Sequence, residues 1–388
     1  MKPAILPSKP HYPILDGLRG VAAVIVVLFH VCEANSTSRF TQIINHGYLA
    51  VDFFFLLSGF VIGYAYDDRW NKMSISSFFK RRLIRLQPMV VMGSIIGALF
   101  YYTQASSIFP LIDINITPVW KVILFMVLGG LMIPVWPAVE IRGWTETYPL
   151  NGPAWSLFFE YIANILYAIG VRKFPKWALS ILVFLSGCLL VHWLVFGPNG
   201  DAIGGWALDP TQLHVGFARL MYPFFAGLLL FRISRLAQIK HAFMWCSLLV
   251  IVALSLPRFG GDQQLWMNGL YESMVILFVF PLIIYLGASS TLANTFQKRA
   301  CKFLGDISYP IYITHYPLIY LYTGWVIDNK PSVENRIIFG AIVFVAALLI
   351  AYACLKLYDE PVRKWLQQKF MPKSKGSDET VKVVAKLN

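Results

Sequence analysis

The feature that most constrains the fold of this chain is a series of long apolar segments separated by short polar or basic stretches. Eleven such segments can be read from the sequence: Leu15–Cys32, Tyr48–Tyr66, Met89–Tyr102, Val119–Val135, Ala154–Val171, Trp177–Phe196, Leu213–Phe231, Ala242–Leu256, Leu270–Leu286, Phe303–Ile327 and Ile337–Leu357. About 20 apolar helical residues are enough to cross the roughly 30 Å hydrocarbon core of a bilayer. Charged residues make up only 14% of the chain, whereas about 25% is usual in soluble domains. The pattern predicts an all-α, polytopic integral membrane protein.

The distribution of Lys and Arg predicts how these segments cross the membrane. The most basic short stretch, Lys72–Arg85, follows the second segment, and the positive-inside rule places it, with the N-terminus, in the cytoplasm. From Arg172 onward basic and less basic loops alternate, which places the C-terminus in the cytoplasm too. An odd number of crossings cannot leave both termini on one side. We therefore expect about ten transmembrane helices, with residues 119–135, interrupted by glycine and proline, forming a re-entrant or interfacial segment.

The remaining composition indicates the domain organisation. We expect one transmembrane domain over residues 1–370 and a short, disordered cytoplasmic tail over residues 371–388, where the chain is polar. No apolar run precedes Leu15, so no cleavable signal peptide is expected. The five cysteines are scattered without a CxxC pair, which predicts neither a metal site nor a disulfide framework. The net charge of +13 is clustered between apolar segments, which is typical of membrane loops and not of a nucleic-acid-binding face.

The first apolar segment carries the most informative pair of polar residues. Arg19 and His30 are separated by about 16 Å along a helix and by three turns plus about 20°. Both side chains therefore leave one face of one helix, with a cation near one membrane surface and an imidazole most of the way across. Arg19 alone is compatible with reaching lipid headgroups, and His30 alone with packing. Ionisable residues within a span are nevertheless costly and are usually paired or functional.

Asp52 and a pair of arginines are the next candidates. Asp52 lies near the outer end of the second span, at a depth similar to that of His30, where its carboxylate would orient the imidazole as a base. The alternative is a polar residue that faces the outer water. Arg82 and Arg85 share one helical face on the cytoplasmic side, and arginine forks suit phosphate oxygens. By itself, this second pair is more typical of an ordinary positive-inside loop.

Two later spans contain further charged residues. Glu160 lies six residues into a span, one turn after Trp155 and Ser156, and Arg219 lies within another apolar segment. Because an isolated charge within a span is costly, Glu160 and Arg219 either pair with each other or face a cavity.

A histidine lies in the tenth apolar segment, where proline interrupts regular helix. His315 follows Tyr312 by three residues, with Pro310 before it and Pro317 after it. A functional histidine and a kink stabilised by the Tyr and His side chains are both compatible with this pattern.

Taken together, these motifs resemble a known family. The chain is similar to the acyltransferase-3 family of bacterial membrane acyltransferases, which includes O-antigen and exopolysaccharide O-acetylases. The most specific signature of the family is an Arg and a His separated by ten residues in the first span, here Arg19 and His30. The match continues through VDFFFLLSGF, the RxxRxxP pattern that ends at Pro88, AWSLFFE, RLMYPFFAG, FLGDISYPIYITH and DEPVRKW. It covers about residues 12–365.

The resemblance implies a ten-span fold in the bacterial inner membrane and transfer of an acyl group, with acetyl favoured, from cytoplasmic acetyl-CoA to a hydroxyl of an extracytoplasmic or lipid-linked carbohydrate. In this scheme Arg82 and Arg85 hold the CoA phosphates, and Arg19 positions the pantetheine arm or the thioester carbonyl. His30 is the general base, with Asp52 as its orienter. The other candidates for the cavity wall are Ser58, Trp155, Ser156, Glu160, Arg219, Tyr309, Tyr312 and His315. Membrane lipid and a carbohydrate or glycolipid acceptor are the expected partners, and the scheme includes no metal and no nucleic acid.

Two other functions are compatible with the sequence. A transporter of lipid-linked sugars or small anions would also carry charges in discontinuous spans, although transporters usually show internal repeats, and we find none here. A membrane scaffold or sensor would not require an arginine and a histidine at matched rotation on one helix. The acceptor stays open among lipopolysaccharide, capsule, exopolysaccharide, peptidoglycan, a macrolide and a glycolipid, and oligomeric state leaves no readable pattern.

Overall fold

The computed structural model describes residue 9 and residues 11–108, 113–234, 242–292 and 294–371. Within these ranges the chain forms helices and no β-strand: α1 Pro13–Ala34, α2 Ala50–Tyr66, α3 Ile75–Phe100, α4 Val119–Gly130, α5 Ala154–Ile169, α6 Lys176–Phe196, α7 Pro210–Ile233, α8 Ala242–Ser255, α9 Trp266–Met274, α10 Phe280–Ala288, α11 Thr295–Thr314, α12 Tyr316–Asn329, α13 Val333–Cys354 and α14 Glu360–Phe370. π-Helical turns at Val275–Val279 and Leu355–Asp359 join α9 to α10 and α13 to α14. The predicted all-α fold is confirmed, and each predicted apolar segment overlaps a helix. Beyond Met371, the predicted tail lies outside the described residues.

Seven helical segments of the described ranges are long and apolar enough to cross a membrane: Pro13–Ala34, Gly47–Tyr66, Ile75–Phe100, Lys176–Phe196, Pro210–Ile233, Trp266–Ala288 and Val333–Phe370. Shorter apolar helices are α4, α5 and α8. Helix α4 has 12 residues, which extend about 18 Å and fall short of the roughly 30 Å hydrocarbon core. This length agrees with the expectation that residues 119–135 do not form a full span. The count of ten spans stays a prediction.

The outer helices carry the surface expected of a multi-pass membrane protein. The buried residues of helix α13 are all small: Gly340, Ala347 and Ala351. Its long apolar side chains, such as Val345 and Leu349, are exposed. Because a contiguous exposed apolar surface of this extent is rare on soluble monomers, α13 faces lipid.

Glycines bring two pairs of helices into close contact at the centre of the molecule. A Cβ atom added at Gly20 of α1 would lie 2.3 Å from the carbonyl oxygen of Leu304 in α11. At Gly59 of α2 it would lie 1.8 Å from the carbonyl oxygen of Phe224 in α7. Small residues allow membrane helices to approach this closely. The first contact places Arg19 against α11, and the second places Asp52 against α7.

The segment between α4 and α5, residues 131–153, is mostly irregular, and its second part, residues 140–153, is mostly buried; we call the segment the buried loop. Thr147 donates its backbone N–H to the carbonyl oxygen of Trp206 at 2.7 Å, and Asn151 Nδ2 donates to that of Ile313 at 2.9 Å. Arg142 is fully buried and donates through Nε to the carbonyl oxygen of Pro149 at 2.6 Å. Thr145 has a φ of 58°, which is strained for a β-branched residue. Irregular backbone at membrane depth needs such protein partners.

The basic stretch Lys356–Lys369, predicted as a cytoplasmic loop, is instead helical through the second π-helical turn and α14. Ion pairs spaced by four residues, Lys356 with Glu360 and Asp359 with Arg363, stabilise the helix along this stretch. Pro361 lies in the first turn of α14, where proline is tolerated. The clustering of positive charge therefore did not predict the local structure of this stretch, and its cytoplasmic side stays a prediction.

Candidate active site

A cavity of about 1850 Å³ lies between α1, α2, α3, α5, α11 and α14, and we call it the basic cavity. Its charged lining residues are Asp16, Arg19, Arg81, Arg82, Arg85, Glu160, Lys298, Lys302, Asp306, Asp359, Glu360 and Arg363. Basic side chains outnumber acidic ones in this set by seven to five. The volume exceeds the roughly 300–1,000 Å³ of ordinary small-molecule pockets, so the basic cavity has room for a large anionic ligand.

Arg19 lines the basic cavity from α1 and is held against α11. Its Nε atom donates to Ser308 Oγ at 2.8 Å, and its Nη2 atom donates to the carbonyl oxygen of Gly305 at 3.1 Å. Asp16, one turn earlier, lies 3.3 Å from the same Nη2 atom. These contacts fix the guanidinium at the cavity wall while Nη1 makes no hydrogen bond within the described residues.

Arg82 is committed to a buried ion pair with Glu160. The distance from Arg82 Nη2 to Glu160 Oε1 is 2.5 Å, and Ser58 Oγ donates to the same oxygen at 2.9 Å. Arg82 is only 5% exposed. Of the two alternatives for Glu160, the structure shows the one that faces the cavity, and Arg82 takes the place of Arg219 as its ion-pair partner. Because Glu160 already neutralises Arg82, this arginine is a poor candidate for a phosphate ligand.

Arg85 lies one turn beyond Arg82 and, unlike it, forms no ion pair within the described residues. It lines the basic cavity, its side chain is exposed there, and it makes no hydrogen bond or salt bridge within the described residues. The nearby guanidinium groups of Arg19 and Arg82 add to the positive potential around it. Of the two arginines that the sequence indicated, Arg85 is the one free to bind an anion.

His30 lies on the far side of the molecule from these arginines and pairs with Glu33. His30 Nδ1 is 2.8 Å from Glu33 Oε2, three residues further along α1. A carboxylate only accepts hydrogen bonds, so the proton of the neutral imidazole is on Nδ1 and its Nε2 atom is free as a base. The His30 side chain is 16% exposed and that of Glu33 is 50% exposed. This arrangement is that of a base with its orienting carboxylate.

The orienting carboxylate is not Asp52, which corrects the sequence prediction. Asp52 is fully buried, and Arg219 donates to it through Nε at 3.2 Å and through Nη2 at 2.6 Å. The Arg219 guanidinium also lies 5.3 Å from the ring of Trp155. Asp52 therefore forms a buried structural ion pair between α2 and α7.

The remaining predicted residues lie along α5 and α11. Ser156 Oγ and Tyr312 Oη are 2.7 Å apart, and both residues line the basic cavity. Tyr309 also lines the cavity and donates its hydroxyl to the carbonyl oxygen of Leu86 at 2.8 Å. The structure thus brings these three residues to the cavity wall, whereas Trp155 and Arg219, which were also predicted there, do not line it.

Four rings, from Phe54, Tyr312, His315 and Tyr316, separate the basic cavity from His30, and we call them the ring layer. The rings of Phe54 and Tyr312 are 5.5 Å apart, and those of Tyr312 and His315 are 6.1 Å apart. The His315 ring lies 5.6 Å from that of His30 at an interplanar angle of 28°. Phe54 and Tyr312 line the cavity, whereas neither histidine does. The cavity therefore ends one layer of side chains short of His30.

Sequence reasoning missed two acidic residues near the ring layer. Glu33 was recognisable, because residues three apart share a helical face. No local sequence pattern marks Glu146, which lies in the buried loop. Its Oε2 atom accepts a hydrogen bond from the hydroxyl of Tyr320, in α12, at 2.5 Å. Only the folding of the loop brings it there.

Glu146 makes protein stability depend on pH. Burial raises its pKa from 4.5 to about 8, and the nearby charge of Arg142 only partly opposes this. A carboxyl group with a higher pKa in the folded than in the unfolded state stabilises the fold below the unfolded pKa, and this contribution is lost as pH rises through the folded pKa. We therefore expect the melting temperature of the detergent-solubilised chain to fall between about pH 5 and 8, and Glu146→Gln to make that fall smaller. An exposed control, Glu334→Gln, should keep it; a fall of equal size in Glu146→Gln contradicts this assignment.

Comparison with known proteins assigns this chain to a recognised family. The profile of the acyltransferase-3 family, described as an acyltransferase domain, matches residues 12–356. The chain is 26% identical to the O-acetyltransferase OatA of Staphylococcus aureus over 385 residues, which cover 95% of this chain and 60% of the relative. It is 24% identical to the peptidoglycan O-acetyltransferase OatA of Listeria monocytogenes, covering 92% of this chain and 56% of the relative.

A third relative is shorter. Protein 2 in the picA locus of Rhizobium radiobacter is 32% identical over 189 residues, which cover 46% of this chain and 92% of that protein. No solved structure matches this chain. The chain spans less than two thirds of the length of the two OatA relatives, so their activity as whole proteins does not transfer directly.

Proposed function

Because the chain belongs to the acyltransferase-3 family, we propose that it is a membrane O-acyltransferase, with acetyl as the favoured group. The donor in this proposal is cytoplasmic acyl-CoA, and the acceptor is a hydroxyl of a carbohydrate on the opposite side of the membrane. The observation that carries the proposal is the arrangement along α1. Arg19 lines the basic cavity, and His30, with Glu33, lies beyond the ring layer at which that cavity ends.

The basic cavity has the properties expected of an acyl-CoA site. CoA is a large ligand with phosphate groups at one end and the thioester at the other, and the cavity offers about 1850 Å³. Arg85 supplies an uncommitted guanidinium, which matches phosphate oxygens in geometry and charge. Arg19, further along towards the ring layer, retains an unbonded Nη1 atom for the pantetheine arm or the thioester carbonyl.

His30 is suited to activate the acceptor. Its Nε2 atom removes the hydroxyl proton as the oxygen attacks the thioester carbonyl, and Glu33 holds the ring and stabilises the imidazolium that forms. The thiolate of CoA leaves as the ester forms and is protonated on its release. The partial exposure of Glu33 fits an acceptor that arrives from the side opposite the basic cavity.

We infer that the basic cavity faces the cytoplasm, with both termini on that side of the inner membrane. The cavity is lined by Arg81, Lys298 and Lys302 from the basic stretches that the positive-inside rule assigns to the cytoplasm. The relatives named as O-acetyltransferases, one of them for peptidoglycan, support a cell-surface glycan as acceptor. Lipopolysaccharide and exopolysaccharide remain alternatives within this class.

Replacing Arg85 tests the donor site. We expect Arg85→Gln to weaken binding of acetyl-CoA to the purified full chain by about 10- to 100-fold, because a charge-assisted hydrogen bond is worth about 1.5–3 kcal/mol. Equilibrium binding of radiolabelled acetyl-CoA in detergent measures this. Lys80→Gln removes an exposed charge from the same helix outside the cavity and should bind as wild type does. Equal affinity in wild type and Arg85→Gln would exclude Arg85 as a phosphate ligand.

A transporter of lipid-linked sugars or small anions is the competing function. Both functions predict an occupied cavity, but only an acyltransferase moves label from acetyl-CoA to a glycan. Proteoliposomes that hold acetyl-labelled acetyl-CoA outside and a glycan acceptor inside distinguish them, since ester-linked label in the glycan requires transfer. Movement of glycan without acetyl ester would favour transport.

A further inference from the structure

We propose that His315 binds the acyl donor, with its Nε2 atom accepting a hydrogen bond from an amide N–H of the pantetheine arm. The inference rests on the proposed function, because it assumes an acyl-CoA in the basic cavity, and it adds a donor contact beyond the arginines and His30. His315 is fully buried at the junction of α11 and α12.

The protonation of the His315 ring is fixed by its backbone surroundings. Its Nδ1 atom lies 3.0 Å from the carbonyl oxygen of Ile311 and 2.9 Å from that of Tyr312. Carbonyl oxygens only accept hydrogen bonds, so Nδ1 carries the proton and Nε2 presents a lone pair. His315 is therefore a hydrogen-bond acceptor at its outer tip.

That lone pair has no partner in the protein. Nε2 of His315 is buried and makes no hydrogen bond within the described residues. A buried polar atom without a partner costs free energy, and such atoms are uncommon unless a ligand or water completes them. By contrast, the equally buried His46 has partners on both nitrogens, Leu256 and Asn268.

The position of His315 determines which ligand completes it. The basic cavity ends at Tyr312, and the rings of His315 and His30 follow in order. For a hydroxyl at His30 to attack the thioester, the pantetheine arm must pass Tyr312 and lie alongside His315. The side chains of the ring layer must therefore move apart around the arm. The first N–H of that arm lies two methylene groups beyond the sulfur, which places it within the ring layer.

The acceptor hydroxyl is a less suitable partner for His315. A hydroxyl group carries one hydrogen, and His30 Nε2 requires that hydrogen as the base. The thioester itself has no hydrogen to donate. The amide of the donor is the remaining group that satisfies Nε2 without competing with the reaction.

Two variants and one modified donor test this contact. In His315→Asn the amide nitrogen still reaches the backbone carbonyls, as Nδ1 does, but the Nε2 acceptor is lost; in His315→Gln the side-chain oxygen reaches the Nε2 position. The probes are acetyl-CoA and its analogue methylated at the amide nitrogen nearest the sulfur. Affinities are measured with the purified full chain in detergent, with His192→Asn, an exposed histidine of α6, as control.

We expect wild type and the control to bind the methylated analogue about ten-fold more weakly than acetyl-CoA. His315→Asn should bind acetyl-CoA about ten-fold more weakly than wild type and show no preference between the two donors, and His315→Gln should regain part of the preference. A wild-type preference retained in His315→Asn would overturn the proposal, since water or packing would then complete Nε2. Failure of wild type to bind either donor would overturn the acyl-CoA site itself, and so the two failures are distinct.

Discussion

Glutamine in place of His30 should reduce acyl transfer by about 10²- to 10⁴-fold, the usual contribution of a general base. Glutamine keeps the size and polarity of the side chain but cannot take up a proton at the position of Nε2. The measurement is the O-acyl content of surface glycans, by NMR, in a deletion strain of the host that carries either the intact gene or the variant. Protein amounts in the membrane are compared by immunoblot.

Two further variants make this result specific. His192→Gln, on the exposed face of α6, should restore acylation as the intact gene does. Glu33→Gln should give an intermediate loss, because it removes the charge that stabilises the imidazolium but keeps a hydrogen-bond acceptor for Nδ1. Full restoration by His30→Gln at equal protein amount would remove His30 as the base while leaving the enzyme in place.

Breaking the ion pair between Asp52 and Arg219 should have the largest effect on stability. Asp52→Asn leaves the buried guanidinium of Arg219 without a countercharge, which we expect to cost about 3–5 kcal/mol. Thermal unfolding in detergent should show a lower melting temperature, and the yield of folded protein should fall. Asp262→Asn, at an exposed loop position, should leave both unchanged.

The same variant also separates a structural from a catalytic role. The double variant Asp52→Asn with Arg219→Met should regain much of the lost stability, because it no longer buries an unpaired charge. Activity for each folded molecule should stay near wild type in this double variant if Asp52 serves only structure. Normal stability with lost activity in Asp52→Asn would instead restore the idea that Asp52 acts in catalysis.

The sequence was most informative where spacing along one helix determines geometry. Apolar length predicted the helices, and helical periodicity predicted that Arg19 and His30 share one face of a single helix, the observed α1. The contact between Glu33 and His30 could have been predicted in the same way, because the two residues are three apart on one helix.

Pairing between distant segments was not readable in the same way. Depth in the membrane limits which charges can meet, but Asp52 and Glu160 each had more than one possible partner at a compatible depth. The choice of Arg219 for Asp52 follows from the close approach of α2 to α7 at Gly59. The choice of Arg82 for Glu160 follows from the packing of α3 against α5. Such contacts are set by the assembled helices and not by any local pattern.

The buried loop shows the same limit more strongly. The sequence predicted a re-entrant or interfacial segment over residues 119–135, but residues 119–130 form the regular helix α4, and the irregular backbone lies mostly within residues 131–153. No local pattern indicated that this segment folds back to pair Glu146 with Tyr320. Nor did any pattern indicate that Asn151 donates to the carbonyl oxygen of Ile313, which lacks its helical partner because Pro317 has no N–H.

The ring layer also has an electrical consequence. If the basic cavity opens to one side of the membrane and His30 to the other, as proposed, water in the cavity extends the conducting medium as far as Tyr312. The voltage across the membrane then falls over a few side chains instead of the whole bilayer. In the proposed reaction the acyl group crosses this layer to the acceptor while a proton takes its place on the CoA sulfur, so the exchange moves no net charge across that voltage, which would otherwise cost about 2.3 kcal/mol per elementary charge per 100 mV. We therefore expect the proposed acyl transfer through this layer to be independent of the polarisation of the membrane.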